Sequence, residues 1–291
     1  MSSASPRLSS HLMPIGLLLV AMLSIQTGAS LAKSLFPLIG APATTTLRLV
    51  FAAVMLALIL RPWRMRLGPG SRRSVLIYGI ALGGMNLMFY MALQSVPLGI
   101  AVALEFTGPL AVAICSSRRP IDFLWIGLAV LGLLLLLPLG QNVDAIDPLG
   151  AAYALGAGVC WALYILYGQK AGADHGTQGA ALGVAIAALC VAPVGIADAG
   201  STLFTLAAIP TALAVAVLST ALPYTLEMIA LTRLPARTFG TLASIEPAIG
   251  ALSGLVFLGE LLSLTQWLAI GAIIVASVGA ISSTKAASLD I

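Results

Sequence analysis

The sequence predicts an all-α membrane protein with ten transmembrane helices, laid out as two five-helix repeats of opposite orientation, residues 1–140 and 141–291. Three observations lead there. Of the 291 residues, 60% are hydrophobic and only 8% charged, and the mean hydropathy is +1.07, far from the composition of a soluble globular domain. Apolar stretches of bilayer-spanning length, about 17 to 25 residues, follow one another along the whole chain and leave no soluble domain between them. A segment of the first half also returns at an offset of 138 residues: Ala92, Leu93, Pro97, Leu104, Pro109 and Ala113 recur as Ala230, Leu231, Pro235, Leu242, Pro247 and Ala251. Each copy carries a glutamate shortly before its second proline, Glu105 and Glu246, inside an otherwise apolar run. Internal similarity with an intramembrane carboxylate in each copy is the mark of a transporter built from repeats.

The first span, 13–32, carries Gln26 and Ser30, four apart and therefore on one helix face. Ser30-Leu31-Ala32 resembles a signal-cleavage site, but cleavage would leave an odd number of spans and reverse the charge assignment of every later loop. The second span, 42–60, contains Arg48. The connection from Arg61 to Ser74 is the longest in the chain, too short for an ATP-binding module, and no GxxxxGK[ST] string occurs. Energy must therefore come from a gradient or from exchange. The third span, 75–96, places Asn86 and Tyr90 on one face and carries a GxxxG pattern at Gly79 and Gly83, small residues where helices pack closely in lipid. Glu105, Thr107 and Pro109 lie in the fourth span, 98–116, and the fifth covers 123–139.

In the second half, span six, 148–169, holds Trp161 and Tyr164, with Tyr167 and Lys170 at its end as interface anchors. Span seven covers 178–197. Span eight, 207–232, carries Tyr224, Thr225 and Glu227. Span nine, 238–258, carries Ser244, Glu246, Pro247 and a second GxxxG at Gly250 and Gly254; span ten covers 264–283. Trp63, Trp125 and Trp267 sit near span ends and read as further anchors.

Charge fixes the orientation. With both termini in the cytoplasm, the inner loops hold Arg7, Arg61, Arg64, Arg66, Arg72, Arg73, Arg118, Arg119, Lys170, Arg233, Arg237 and Lys285, twelve of the 14 cationic residues. Asp144, Asp147, Asp198 and Glu260 fall outside. This is a positive-inside pattern, and it explains the net charge of +4 without a nucleic-acid partner. An odd number of spans per half inverts the second half, and the charges follow: the uncharged turn Val96-Pro97-Leu98-Gly99 faces outward, while its counterpart Arg233 to Arg237 faces inward.

Cys115, Cys160 and Cys190 lie within spans without paired spacing, so no disulfide, metal site or cofactor is expected. The two histidines, His11 and His175, lie at a terminus and in a loop, and no paired-aspartate motif exists to hold a metal. A membrane-embedded transferase, the enzyme alternative, therefore lacks its machinery. A purely structural subunit would not need three acids in its spans.

The ten-span layout in two inverted halves, the prolines Pro109 and Pro247, and Gly259-Glu260 closing span nine resemble the EamA-type permeases of the drug/metabolite transporter superfamily. Within it, the segments Ser24 to Ala32, Val96 to Pro109 and Leu226 to Pro235 are similar to bacterial inner-membrane exporters of small hydroxylated amino acids. The resemblance implies efflux of threonine and homoserine from the cytoplasm, coupled to protons; other amino acids, metabolites or drugs are the alternative cargo within the superfamily. The first half departs from the pattern at Ser116-Ser117-Arg118-Arg119, where symmetry calls for a glycine-glutamate pair.

Ionisable groups at mid-membrane cost about 2.5 to 3.5 kcal/mol on insertion scales and so face a cavity or a partner. Arg48, Glu105, Glu227 and Glu246 are the four candidates. One alternative reading makes Arg48 and a glutamate a structural pair between helices; another lets Glu227 snorkel to the interface. The transport reading follows from the cargo: a zwitterion needs a cation for its carboxylate, which a guanidinium grips with two parallel hydrogen bonds, and an anion for its ammonium. Arg48 suits the first task and Glu105 or Glu246 the second, leaving another of the three glutamates, Glu227 included, to carry a proton. Gln26, Asn86, Tyr90, Trp161 and Tyr164 are the polar and aromatic residues expected to complete the site. Pro109 cannot donate to the carbonyl of Glu105, and Pro247 frees the carbonyl of Ala243 and disfavours helical geometry at Glu246, so a kink is expected beside each acid.

Overall fold

A computed structural model describes residues 7–116, 119–136, 147–235, 239, 242–243, 245–259, 261, 263–265, 267–269, 271–272, 274–276 and 279. Among the described residues every regular element is helical. Ser117, Arg118, Asp144, Arg237, Ser244, Glu260 and Lys285, each assigned a place above, lie outside them.

Six helical stretches are long and apolar enough to cross a membrane: Met13–Lys33, Ala41–Leu60, Pro69–Ala92, Pro148–His175, Thr177–Leu203 and Leu206–Arg233. Shorter apolar helices cover Leu98–Val112, Pro120–Gly132, Glu246–Leu258 and Trp267–Ala276. In chain order the elements used below are α1 (Arg7–Lys33), α2 (Phe36–Ile39), α3 (Ala41–Leu60), α4 (Pro69–Ala92), α5 (Leu98–Glu105), α6 (Thr107–Ser116), α7 (Pro120–Leu136), α8 (Pro148–His175), α9 (Thr177–Ala199), α10 (Ile209–Ala216), α11 (Leu222–Arg233) and α12 (Glu246–Leu258). Large apolar side chains such as Leu58, Val159, Leu189 and Val256 point out of the bundle, as lipid-facing helices require.

Three breaks shape the interior. Gly40, with φ of +79°, separates α2 from α3, a conformation open to glycine but strained for other residues. The apolar run expected as one span over 98–116 is two helices, with a turn at Phe106 directly after Glu105. Between α10 and α11 the chain stays helical but winds one turn as π over Val217–Ala221, an insertion that is frequent at functional sites.

Close packing holds these helices together. α4 packs on α8 and α9, α3 on α9, α1 on α11, and α12 on α5. On α4, Gly79 and Gly83 lie against Ile186 and Ala187 of α9, so this GxxxG pattern serves a contact within the chain. Gly158 of α8 lies so close to the α5–α6 break that a Cβ there would meet the Glu105 carbonyl oxygen at 2.6 Å. At the start of α8, Asp147 caps the helix: its carboxylate accepts from the Leu149 and Gly150 amides at 3.2 and 3.0 Å and from the Ser95 hydroxyl at 2.6 Å. The Ser95 hydroxyl first, then the two amides, hold its carboxyl below the usual aspartate range.

Candidate substrate site

Gln26 of α1, Arg48 of α3, Asn86 and Tyr90 of α4, Glu105 of α5, Trp161 of α8, Tyr224 and Glu227 of α11, and Glu246 of α12 line one narrow cavity of about 30 Å³. The residues reach it by facing inward from seven helices; Arg48 and all three glutamates are at most 7% exposed. Seven of the expected site residues lie on this wall together with Glu227. Tyr164 stands behind it and donates its hydroxyl to Glu227 Oε2 at 2.7 Å.

The four charged groups differ in how they are held. Arg48 Nη1 donates to the Ser219 hydroxyl at 2.8 Å and to the Ser219 carbonyl at 3.3 Å, and Nη2 donates to Asn86 Oδ1. The guanidinium carbon lies 4.2 Å from the Tyr90 ring centroid, within cation–π range. None of its hydrogen bonds goes to a carboxylate among the described residues, which runs against the structural ion-pair reading. Its Nε–H is buried without a partner. Asn86 is itself fixed, with Nδ2 donating to the Leu82 carbonyl at 2.7 Å and Oδ1 accepting from the Tyr224 hydroxyl at 2.9 Å.

Glu246 Oε1 accepts from Gln26 Nε2 at 3.1 Å, while Glu246 Oε2 and the side-chain oxygen Gln26 Oε1 are buried and unpartnered. Glu227 is tied to Tyr164 and is 3% exposed, so it does not snorkel to an interface. Glu105 lines the cavity with no hydrogen bond to its carboxylate among the described residues. A buried charged or polar atom without a partner is costly. Four such atoms belong to residues around this one cavity, the Arg48 Nε–H and Tyr90 O–H donors and the Gln26 Oε1 and Glu246 Oε2 acceptors, so the arrangement can bond a ligand that carries both donors and acceptors.

The two prolines stand beside the site rather than in it. Pro109 is the third residue of α6 and the break falls at Phe106. Pro247 is the second residue of α12, and Glu246 before it is helical, with Ile245 as the cap. At a helix start the amide that proline lacks had no helical partner to lose, so Glu246 can open the helix. Of the other polar residues noted in the spans, Ser30, Thr107 and Thr225 turn their hydroxyls to backbone carbonyls of their own segments.

Sequence reasoning missed Ser219, the main anchor of Arg48, and the apolar lining of Ile25, Ala29, Met85 and Phe89. A signal for Ser219 existed: Pro223 stands four residues after it, the same relation that drew attention to Glu105 and Pro109.

The EamA-like transporter family matches residues 148–282. The chain is 62% identical over 267 residues to the threonine/homoserine exporter RhtA of Escherichia coli K12, covering 92% of this chain and 90% of that protein. It is 61% identical, with the same coverage, to the threonine/homoserine exporter RhtA of Salmonella typhimurium LT2. A transporter of Bacillus subtilis described as uncharacterized, YwfM, is 32% identical over 66% of this chain and 61% of its own length. A protein solved by crystallography has the same fold at a TM-score of 0.71 and 18% identity, covering 97% of this chain and 99% of that one.

Proposed function

The chain belongs to the EamA-like transporter family, and from that membership we propose that it exports small hydroxylated amino acids, threonine and homoserine foremost, through the Arg48–Glu105 cavity. The observation that carries the site assignment is that an unpartnered Arg48 Nε–H shares one buried wall with Glu105, whose carboxylate has no hydrogen bond among the described residues. Arg48 takes the substrate carboxylate and Glu105 or Glu246 its ammonium. Another of the three acids, Glu105, Glu246 or Glu227, binds and releases the proton that drives uphill export. A cavity of about 30 Å³ has room for about two waters, so helices or side chains part before an amino acid enters, as alternating access requires.

Ten spans in two inverted halves, 1–140 and 141–291, surround this site, with both termini in the cytoplasm and the chain in the bacterial inner membrane. The positive-inside distribution of arginines and the repeat at an offset of 138 residues support this layout. Family membership sets the transferase reading aside.

The test is counterflow of labelled amino acids into proteoliposomes holding the purified protein, with and without an imposed pH gradient. Saturable threonine and homoserine counterflow, accelerated against the gradient of substrate by the proton gradient, is the expected result. Counterflow of unrelated metabolites alone would replace the cargo, and rates indifferent to the pH gradient at matched membrane potential would replace proton antiport with exchange.

A further inference from the structure

Arg48 is held by a backbone carbonyl that an ordinary helix would not offer. Pro223 has no N–H to return to the carbonyl of Ser219 four residues earlier. The turn before it is wound as π, with the Leu222 amide reaching back to the Val217 carbonyl, so the Leu218 carbonyl loses its usual donor as well, and its π-type donor would again have been Pro223. Both carbonyls are taken by other helices. Ser24 of α1 donates its hydroxyl to Leu218 O at 2.5 Å, and Arg48 of α3 donates Nη1 to Ser219 O at 3.3 Å. The Ser219 hydroxyl oxygen is a second acceptor for Nη1 at 2.8 Å, and its O–H donates to Val215 O at 2.8 Å.

The π turn is also pinned from the far side. A Cβ on Gly28 of α1 would meet Ser219 Cβ at 2.7 Å and Ser219 N at 2.8 Å, so α1 presses against the Ser219 peptide and leaves it no room to rotate. Ser219 is fully buried. The guanidinium is thus gripped at Nη1 by Ser219 and at Nη2 by Asn86, with its face on Tyr90, and its Nε–H stays unengaged.

We propose that Pro223 and Ser219 are the positioning residues of substrate recognition: the proline-freed π turn fixes Arg48 so that its Nε edge faces the carboxylate of the transported amino acid. The inference rests on the assignment of Arg48 to the carboxylate made above. It makes the preference for a carboxylate over a neutral amide depend on a residue that touches neither substrate nor proton.

The experiment uses the full-length protein in proteoliposomes and measures threonine counterflow together with competition by threoninamide, which lacks the carboxylate. Pro223→Ala restores the missing amide and lets the helix reclaim the Ser219 carbonyl, and alanine is a better helix former than proline. Loss of one charge-assisted anchor corresponds to about a tenfold rise in KM, with a saturating rate near that of the wild type and a preference for threonine over threoninamide reduced by the same factor. Ser219→Ala removes only the hydroxyl and should move the preference in the same direction by a smaller factor. A purely structural role would lower the amount of protein or the rate and leave the preference untouched. Wild-type protein that does not distinguish threonine from threoninamide would overturn the carboxylate assignment itself. Wild-type protein that distinguishes them, with Pro223→Ala keeping the full preference, would overturn the positioning role alone. If Pro223→Ala does not reach the membrane, Ser219→Ala decides, and an unchanged preference there overturns the proposal.

Discussion

Glu105→Gln isolates charge from shape at the one acid of the cavity that has no protein hydrogen bond among the described residues. Replacing Arg48 would strip partners from Ser219, Asn86 and Tyr90 at once, and replacing Glu227 would orphan the Tyr164 hydroxyl. Glu105→Gln breaks no such contact and keeps the side-chain volume, so the melting temperature in detergent should move by no more than about 3 °C, roughly 1 kcal/mol for a chain of this size. Substrate binding responds differently. A hydrogen bond to a charged group contributes about 1.5 to 3 kcal/mol, which converts to a loss of roughly 10- to 150-fold in affinity for a ligand whose ammonium sat on that carboxylate. The assay is calorimetric binding of threonine to purified protein, paired with counterflow in proteoliposomes and with quantitation of protein in the membrane. An affinity within about threefold of wild type, at normal abundance, would refute the placement of the ammonium at Glu105 and move it to Glu246.

Four further outcomes follow from the same geometry. A cysteine introduced at Gly68, in the arginine-rich connection, should resist an impermeant thiol reagent applied outside intact spheroplasts; ready labelling would reverse the topology and remove the basis for an inverted second half. Threonine binding should weaken as pH falls, because a protonated acid no longer attracts the ammonium, and Gln at the coupling glutamate should flatten that dependence even where some exchange survives. Gly28→Leu should lower the melting temperature and the yield, since even a Cβ there meets the Ser219 backbone at 2.8 Å; overpacking of this kind costs about 1 to 3 kcal/mol, and an unchanged melting curve would show that α1 can move away. Asp147→Ala should lower thermal stability more than Asp147→Asn, which still caps α8. Because the folded carboxyl lies below its ordinary range, the stabilisation by Asp147 is complete above that range and is lost as pH falls through the lowered folded value, a dependence the Asn variant should not have.

Hydropathy and charge are local properties, and what depends on them was legible in the chain. The apolar stretches are written in long runs, because in lipid a helix satisfies most of its own backbone groups and only its side chains meet the hydrocarbon. Arg48, Glu105, Glu227 and Glu246 stand out for the same reason, as charges that lipid does not tolerate. That Asn86 and Tyr90 share a face follows from helical periodicity alone. The tertiary structure decided the partners. Arg48 meets Ser219 across 171 residues of sequence and Gln26 meets Glu246 across 220, contacts that no local pattern encodes. Which acid is tied and which is not came from packing: Tyr164 hydrogen-bonds Glu227, Gln26 hydrogen-bonds Glu246, and no described side chain hydrogen-bonds Glu105. Proline positions predicted that carbonyls would be freed, but whether a helix kinks, breaks or winds as π at such a site depends on what stands ready to bond those carbonyls. At Pro223 that was Ser24 and Arg48 from two other helices, so the chain could stay helical through a π turn that the sequence alone leaves unmarked.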